Sequence, residues 1–254
     1  MTMTRQDALF NYVLKLGDQS LVYGHRMSEW CSKAPMLEED LALTNIALDY
    51  IGRARAFLSY AAELEGKSRS EDDLAYKRGE REFYNNLMVE LPIGDFAFTM
   101  ARQFLLSSYE YFLFTGLAQS KDEKLAAIAN KVIKEVRYHW THSRDWLMRL
   151  GLGTSVSHEK LQRAIDELWI YTDELFETGP EDQLLKSAGI VFNMDEIKTV
   201  WTELVHSILK EIDITIPETT FSQTGSRLGI HTEHLGHLLA EMQYLVRAYP
   251  EARW

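Results

Sequence analysis

One stretch of the chain carries an acid and two imidazoles on an otherwise apolar row. Val132, Glu135, His139, His142 and Trp146 recur at steps of three or four, the spacing that aligns side chains on one face of a helix. A polar group turned inward is costly unless it meets a partner. Facing helices of a bundle can bring several such groups to one point, so the chemistry open to this row is metal binding or proton transfer. Asn45 and Asp49 on a second helix and Glu110 on a third are further inward candidates, and His25 and Glu29 join them from a first.

A carboxylate-bridged iron pair needs one glutamate from each of two helices and a Glu-x-x-His pair from each of two more. The chain holds one such pair, Glu203 and His206, on a stripe with Glu196, Thr199 and Lys210 that reads as the water-facing side of its helix. Glu135 and His139 stand four apart rather than three, and no histidine is in register with Asn45 and Asp49. The spacing therefore favours a hydrogen-bonded network, with Asp49 or Glu135 paired to Arg53, Arg137 or His139, over a metal centre. Glu29, Asn45, Asp49, Glu110, Glu135 and His139 are read as inward candidates, with no catalytic, cofactor-binding or metal-ligating residue in the chain. His231, His234 and His237 form the densest histidine cluster, but steps of three drift round a helix and no cysteine completes a tetrahedron. A helix start or a contact between subunits suits them better than zinc. Cys31, a lone thiol beside Trp30, reads as packing, and neither a Gly-x-Gly-x-x-Gly nor a P-loop occurs.

The elements that must position these residues are helices. Five prolines and fourteen glycines punctuate 254 residues that are 46% hydrophobic, a balance that favours long helices and predicts an all-α fold. Periodicity predicts a first helix from Asp7 to about Cys31, loosened near Gly17-Asp18, and a second from Glu38 to about Glu65. The second has an apolar face at Leu43, Ile46, Ala47, Tyr50, Ala54, Phe57, Ala61 and Leu64. Beside it runs a stripe of Ala42, Asn45, Asp49, Gly52 and Ala56 that could face a bundle axis. An exposed loop over Gly66–Asp73 precedes a short helix through Phe83, Leu87 and Val89. Long helices follow over Asp95–Gln119 and from Lys121-Asp122-Glu123 to Gly151. Beyond them come Ser157–Glu177, a short piece to Ala188, a helix opened by a capping box at Asn193-Met194-Asp195-Glu196, and a last helix over His231–Tyr249. Four helices of about 25 residues suit an elongated antiparallel bundle. The expectation is a single domain over 1–254, with a core bundle at about 7–151 and additional helices at about 157–249.

A net charge of −11 argues against nucleic acid or an anionic membrane as the main partner. No apolar run is long enough to span a bilayer. The single cysteine and an N-terminus without an apolar signal stretch predict a cytoplasmic protein.

Several blocks carry a resemblance that periodicity does not. Ser28-Glu29-Trp30-Cys31, Asn45-Ile46-Ala47-Leu48-Asp49 with Gly52-Arg53-Ala54-Arg55, and Phe57-Leu58-Ser59-Tyr60-Ala61-Ala62-Glu63 are three of them. Lys134-Glu135-Val136-Arg137-Tyr138-His139 and His231-Thr232-Glu233-His234-Leu235-Gly236 with Ala240-Glu241-Met242-Gln243-Tyr244-Leu245 are the others. End to end, the chain resembles the C-subunit family of the ring-1,2-phenylacetyl-CoA epoxidases. The resemblance implies a ferritin-like bundle that acts as a non-catalytic structural subunit of a multicomponent NADPH-dependent monooxygenase in aerobic phenylacetate breakdown. It implies a catalytic A subunit holding the di-iron centre and a small B subunit. A reductase carrying flavin and an iron–sulfur cluster would dock transiently. No cofactor is implied in this chain itself, and the resemblance makes Glu29, Asn45, Asp49, Glu110, Glu135 and His139 positions of a degenerate version of the site. Two alternatives stand beside it: an independent di-metal carboxylate enzyme or metal-binding bundle, and a cofactor-free thioester-binding module. The docking face is expected around Tyr109, Tyr111, Phe112 and Phe114 or on the first two helices, with core packing of those aromatics as the other reading.

Overall fold

A computed structural model of the chain describes residues 3–252. The all-α expectation holds: regular structure among these residues is entirely helical. The helices are α1 (Arg5–Ser28), α2 (Leu37–Glu65), α3 (Glu71–Tyr76), α4 (Phe96–Leu117), α5 (Glu123–Gly151), α6 (Ser155–Leu168), α7 (Pro180–Ser187), α8 (Met194–Glu211) and α9 (Glu233–Ala248). They sort into two compact units. The first comprises the residues up to Pro92 together with those from Gly225 onward, and the second is Ile93–Thr224.

In the first unit, Thr4 opens α1 with a capping box: its hydroxyl accepts from the Asp7 backbone N–H at 3.1 Å, and the Asp7 carboxylate accepts from the Thr4 N–H at 3.0 Å. Helices α1 and α2 form an antiparallel hairpin. Gln6 Nε2 donates to the Leu64 carbonyl at 2.7 Å at one end, and the Tyr23 ring meets Tyr50 edge-on at 4.9 Å further along. Leu43, Ile46, Tyr50 and Phe57 of α2 are fully buried along this seam, at about 1.5–3 kcal/mol for each aliphatic or phenyl side chain removed from water. The loosening expected at Gly17-Asp18 does not occur, because α1 runs unbroken through it. Gly17 is instead where the hairpin closes most tightly: a Cβ there would lie 2.6 Å from Leu58 Cδ2.

The stretch from Gly66 to Pro92 departs from expectation. Ser70 and Asp73 make a second capping box that starts α3 inside the expected loop. The expected helix through Phe83 and Val89 is replaced by single 3₁₀ turns at Glu80–Glu82 and Leu87–Val89. The 3₁₀ turns bond their own backbone, Phe83 N–H to the Glu80 carbonyl at 3.1 Å and Val89 N–H to the Asn86 carbonyl at 3.2 Å, and side chains accept from the N–H groups of Tyr84 and Asn86 between them.

In the second unit Asp95 caps α4 and Asp122 caps α5, accepting from the backbone N–H of Phe98 at 3.0 Å and of Leu125 at 2.8 Å. These two helices are also antiparallel, with Phe96 edge-on to Trp146 at 4.8 Å and Tyr111 stacked with Trp140 at 6.5 Å. Helices α6 and α8 pack against α4, and Trp201 Nε1 donates to the Leu105 carbonyl at 3.1 Å. Phe176 lies between Tyr109 and Trp201, at 5.5 and 5.2 Å. Tyr109 and Phe114 are buried, so core packing is their role in this chain, while Tyr111 and Phe112 are half-buried. The helix expected to reach Glu177 stops at Leu168 and continues as 3₁₀ turns. Asn193 does not cap α8 with its side chain; its amide donates to Glu196 Oε1 at 3.0 Å instead. No helix among the described residues is long and apolar enough to cross a membrane.

Candidate functional site

The row predicted on α5 and its counterpart on α4 meet in the second unit. Buried Ser107 and Ser143 face one another, their hydroxyls 3.4 Å apart, and Ser143 also donates to the His139 carbonyl at 2.8 Å. This contact sets the register of the antiparallel pair. One turn along from it, Glu110 of α4 and His139 of α5 stand at the same level, and both are buried. Glu135 is half-buried on the next turn of α5. None of the three is without a partner.

The remaining predicted positions belong to the first unit. Glu29 follows the last turn of α1 and pairs with Arg26 at 2.6 Å, its side chain a third exposed. Burial depresses the imidazole of nearby His25, against the pull of Glu29. Asp49 is half-buried and partnered. Asn45 is exposed, so the inward placement expected for it does not hold. The buried face of α2 is set by Leu43, Ile46, Ala47, Tyr50, Ala54 and Phe57, and Asn45 lies about half a turn from its centre. Gly52 of the same stripe is also exposed.

The donor set does not fit a carboxylate-bridged iron pair. Glu203 and His206, the one Glu-x-x-His, are both exposed on α8, with Trp169 6.0 Å from the His206 ring. No group of three or more His, Cys, Asp or Glu side chains among the described residues is placed to hold a metal ion. His231 is committed elsewhere, through both ring nitrogens.

That commitment belongs to a buried polar network in the first unit that the periodicity does not announce. Asp18 of α1 and Arg78 form a two-pronged ion pair, Arg78 Nη1 to Asp18 Oδ2 at 3.0 Å and Nη2 to Oδ1, with both side chains almost wholly buried. The Tyr84 N–H donates to the same carboxylate at 3.0 Å, and Arg78 Nη1 also donates to the Glu82 carbonyl at 2.6 Å. Burial raises the Asp18 carboxyl above its usual range in spite of Arg78.

The second half of the network is centred on Glu90. One carboxylate oxygen accepts from Asn85 Nδ2 at 2.9 Å and contacts His231 Nδ1 at 2.6 Å. The other accepts from the Thr232 N–H at 2.8 Å and the Thr232 hydroxyl at 2.7 Å. Arg26 Nε donates to the Glu90 carbonyl at 2.8 Å and Nη2 to the His234 carbonyl at 3.1 Å. Glu29 thus holds a guanidinium that ties α1 to the start of α9. The available signals were Asp18 sitting among apolar residues of α1 and the density of the histidine cluster. Neither identifies its partner.

Two comparisons bear on what such a chain is. The family described as phenylacetic acid catabolic protein matches it over residues 1–254. The C subunit of the 1,2-phenylacetyl-CoA epoxidase of Escherichia coli (strain K12) is 49% identical over 243 residues, spanning 96% of this chain and 98% of that protein. With a family match that runs its full length and about half of the aligned positions identical to a curated relative, the chain belongs to the phenylacetic acid catabolic protein family.

Proposed function

We propose that the chain is the non-catalytic structural subunit of a 1,2-phenylacetyl-CoA epoxidase acting in phenylacetate catabolism. The observation that carries this reading is the end-to-end identity with the C subunit of the Escherichia coli epoxidase. Two features of the chain support it. Buried Glu110, half-buried Glu135 and buried His139 of α4 and α5 lack the paired Glu-x-x-His spacing that an iron pair requires. In addition, α2 presents Leu37, Leu41 and Leu48 to solvent at 70, 57 and 63% exposure. Three large apolar side chains on the outer side of one helix form a surface suited to a protein partner.

In this proposal the partner on α2 is the catalytic A subunit with its di-iron centre. A small B subunit makes up the rest of the oxygenase, and a reductase with flavin and an iron–sulfur cluster supplies electrons from NADPH. The whole acts in the cytoplasm. This chain contributes packing: it covers apolar surface of a neighbour whose own helices give up hydrophobic positions to buried carboxylates. The test is to purify the chain alone and with the A subunit from iron-replete cells. Alone, it should hold no stoichiometric iron and convert no phenylacetyl-CoA, and with the A subunit it should form a stable complex. Two bound metal ions per chain would overturn the proposal in favour of an independent metalloenzyme. Binding of phenylacetyl-CoA by the isolated chain, with no complex formed, would overturn it in favour of a thioester-binding module.

A further inference from the structure

We propose that the segment from Gly225 onward is held on the first unit by a proton-dependent latch, in which His231, as an imidazolium, is clasped by Glu90 and lets the segment loosen once it loses its proton.

The acceptors that surround His231 outnumber the donors of a neutral ring. The His231 side chain is fully buried, with Nδ1 2.6 Å from Glu90 Oε1 and Nε2 2.9 Å from the Phe83 carbonyl oxygen. A backbone carbonyl only accepts. Glu90 already accepts from Asn85 and twice from Thr232, so it also meets the imidazole as a carboxylate acceptor. A neutral imidazole carries one N–H and can satisfy one of these two acceptors, whereas the imidazolium satisfies both. Deprotonation would leave a buried acceptor without its hydrogen, at the point where the chain enters α9.

The surrounding charges act in the same direction. Glu90 touches the ring, and Glu80, on the 3₁₀ turn before Phe83, adds a second acid. Asp18 of α1 also interacts with His231, while its own charge is shared with Arg78. The other base nearby, Arg26 of α1, is directed at the backbone carbonyls of Glu90 and His234 and paired with Glu29. Along the segment itself, His234 lies 3.9 Å from Glu233. Burial opposes the charged imidazole, but the hydrogen bond and charge of Glu90, the Phe83 carbonyl and Glu80 outweigh it and hold His231 above its usual value. A group raised in this way contributes stability that is complete below the unfolded value, about 6.5, and is lost as pH rises through the folded value.

Beyond the bonds of Thr232 to Glu90 and of Arg26 to the His234 carbonyl, the segment is attached by a short row of buried side chains. Leu235, Leu238 and Leu239 are buried, and Gln243 Nε2 donates to the carbonyls of Ala75 and Arg78 at 3.3 and 3.0 Å. Beyond them Tyr244, Leu245 and Tyr249 are half or more exposed. An element with few buried contacts is the kind that opens first.

The test is amide hydrogen exchange on the full chain from pH 6 to pH 9, expressed as protection factors so that the intrinsic pH dependence of exchange cancels. Protection of α9 should fall about tenfold or more relative to α5 across this range. In His231→Gln it should already be low at pH 6 and then stay flat. Protection of α9 that tracks α5 at every pH, or a slope that survives in His231→Gln, overturns the latch. Should His231→Gln not fold, nitrogen NMR of the wild-type imidazole decides: more than half imidazolium at pH 6.5 supports the latch, and a mainly neutral ring at that pH overturns it.

Discussion

Asp18 and Arg78 show how a buried pair can be indispensable without being a source of net stability. Burial raises the Asp18 carboxyl in spite of Arg78, so the stability linked to this carboxyl is present below its unfolded value and lost as pH rises through the folded value. Removing one partner is a different matter, because it strands the other charge in the interior. Asp18→Asn and Arg78→Met should each lower the unfolding free energy in urea by about 3–5 kcal/mol. The double variant should lose less than their sum, with a coupling of about 2–3 kcal/mol; strictly additive losses would show that the two side chains act independently. Gly229 sets a second single-residue limit. Its φ is +66°, and a Cβ there would stand 2.4 Å from the Arg81 carbonyl oxygen. Gly229→Ala combines a left-handed backbone, costing roughly 1–2 kcal/mol, with a clash against main chain that cannot rotate away. It should therefore destabilise by about 2 kcal/mol or more in the same titration, and an unchanged midpoint would mean that the loop shifts freely.

Helix α2 separates what local sequence encodes from what it does not. Most of its inner face is legible: Leu43, Ile46, Ala47, Tyr50, Ala54, Phe57 and Ala61, read from a 3.6-residue period, are buried, while Leu64 of the same face is half-buried and Glu39, Arg53, Leu58 and Tyr60 are buried without having been read there. Its outer face invites a prediction, because Leu41 and Leu48 touch water in this chain. Leu41→Glu with Leu48→Glu should leave the helical circular dichroism and the melting temperature nearly unchanged, as expected for exposed positions. The same change should weaken association with the A subunit proposed as its partner by about a hundredfold or more, the equivalent of roughly 3 kcal/mol of lost apolar burial. Unchanged affinity would move the docking surface off α2. The stretch from Gly66 to Pro92 was misread for a physical reason. Its conformation depends on bonds that Arg78, Asn86 and Glu90 make to Asp18, Gln19 and His231, about sixty or more residues away, and no local period records such contacts. The site divides along the same line. Glu135 and His139 stand out as polar groups on an otherwise apolar row of α5, whereas the meeting of Glu90 with His231, 141 residues further on, has no local signal.

At the scale of the molecule, the order of the chain sets the remaining question. The first unit is discontinuous: its α1, α2 and α3 are made first, the whole of Ile93–Thr224 follows, and α9 returns only afterwards to complete it. Its Arg78 and Glu90 reach their last partners, Gln243, His231 and Thr232, from that late segment. We propose that 1–254 behaves as a single domain, because the polar network of the first unit stays incomplete until the second unit has been traversed. Calorimetry distinguishes this from independent units by magnitude. At roughly 0.7 kcal/mol per residue near 60 °C, one cooperative transition of the whole chain carries about 180 kcal/mol, and the van't Hoff enthalpy should match the calorimetric enthalpy. Two units melting separately would each give a van't Hoff enthalpy of about half that value, well outside experimental error. A single transition with matching enthalpies is the expected result, and two resolved transitions would divide the chain into two domains.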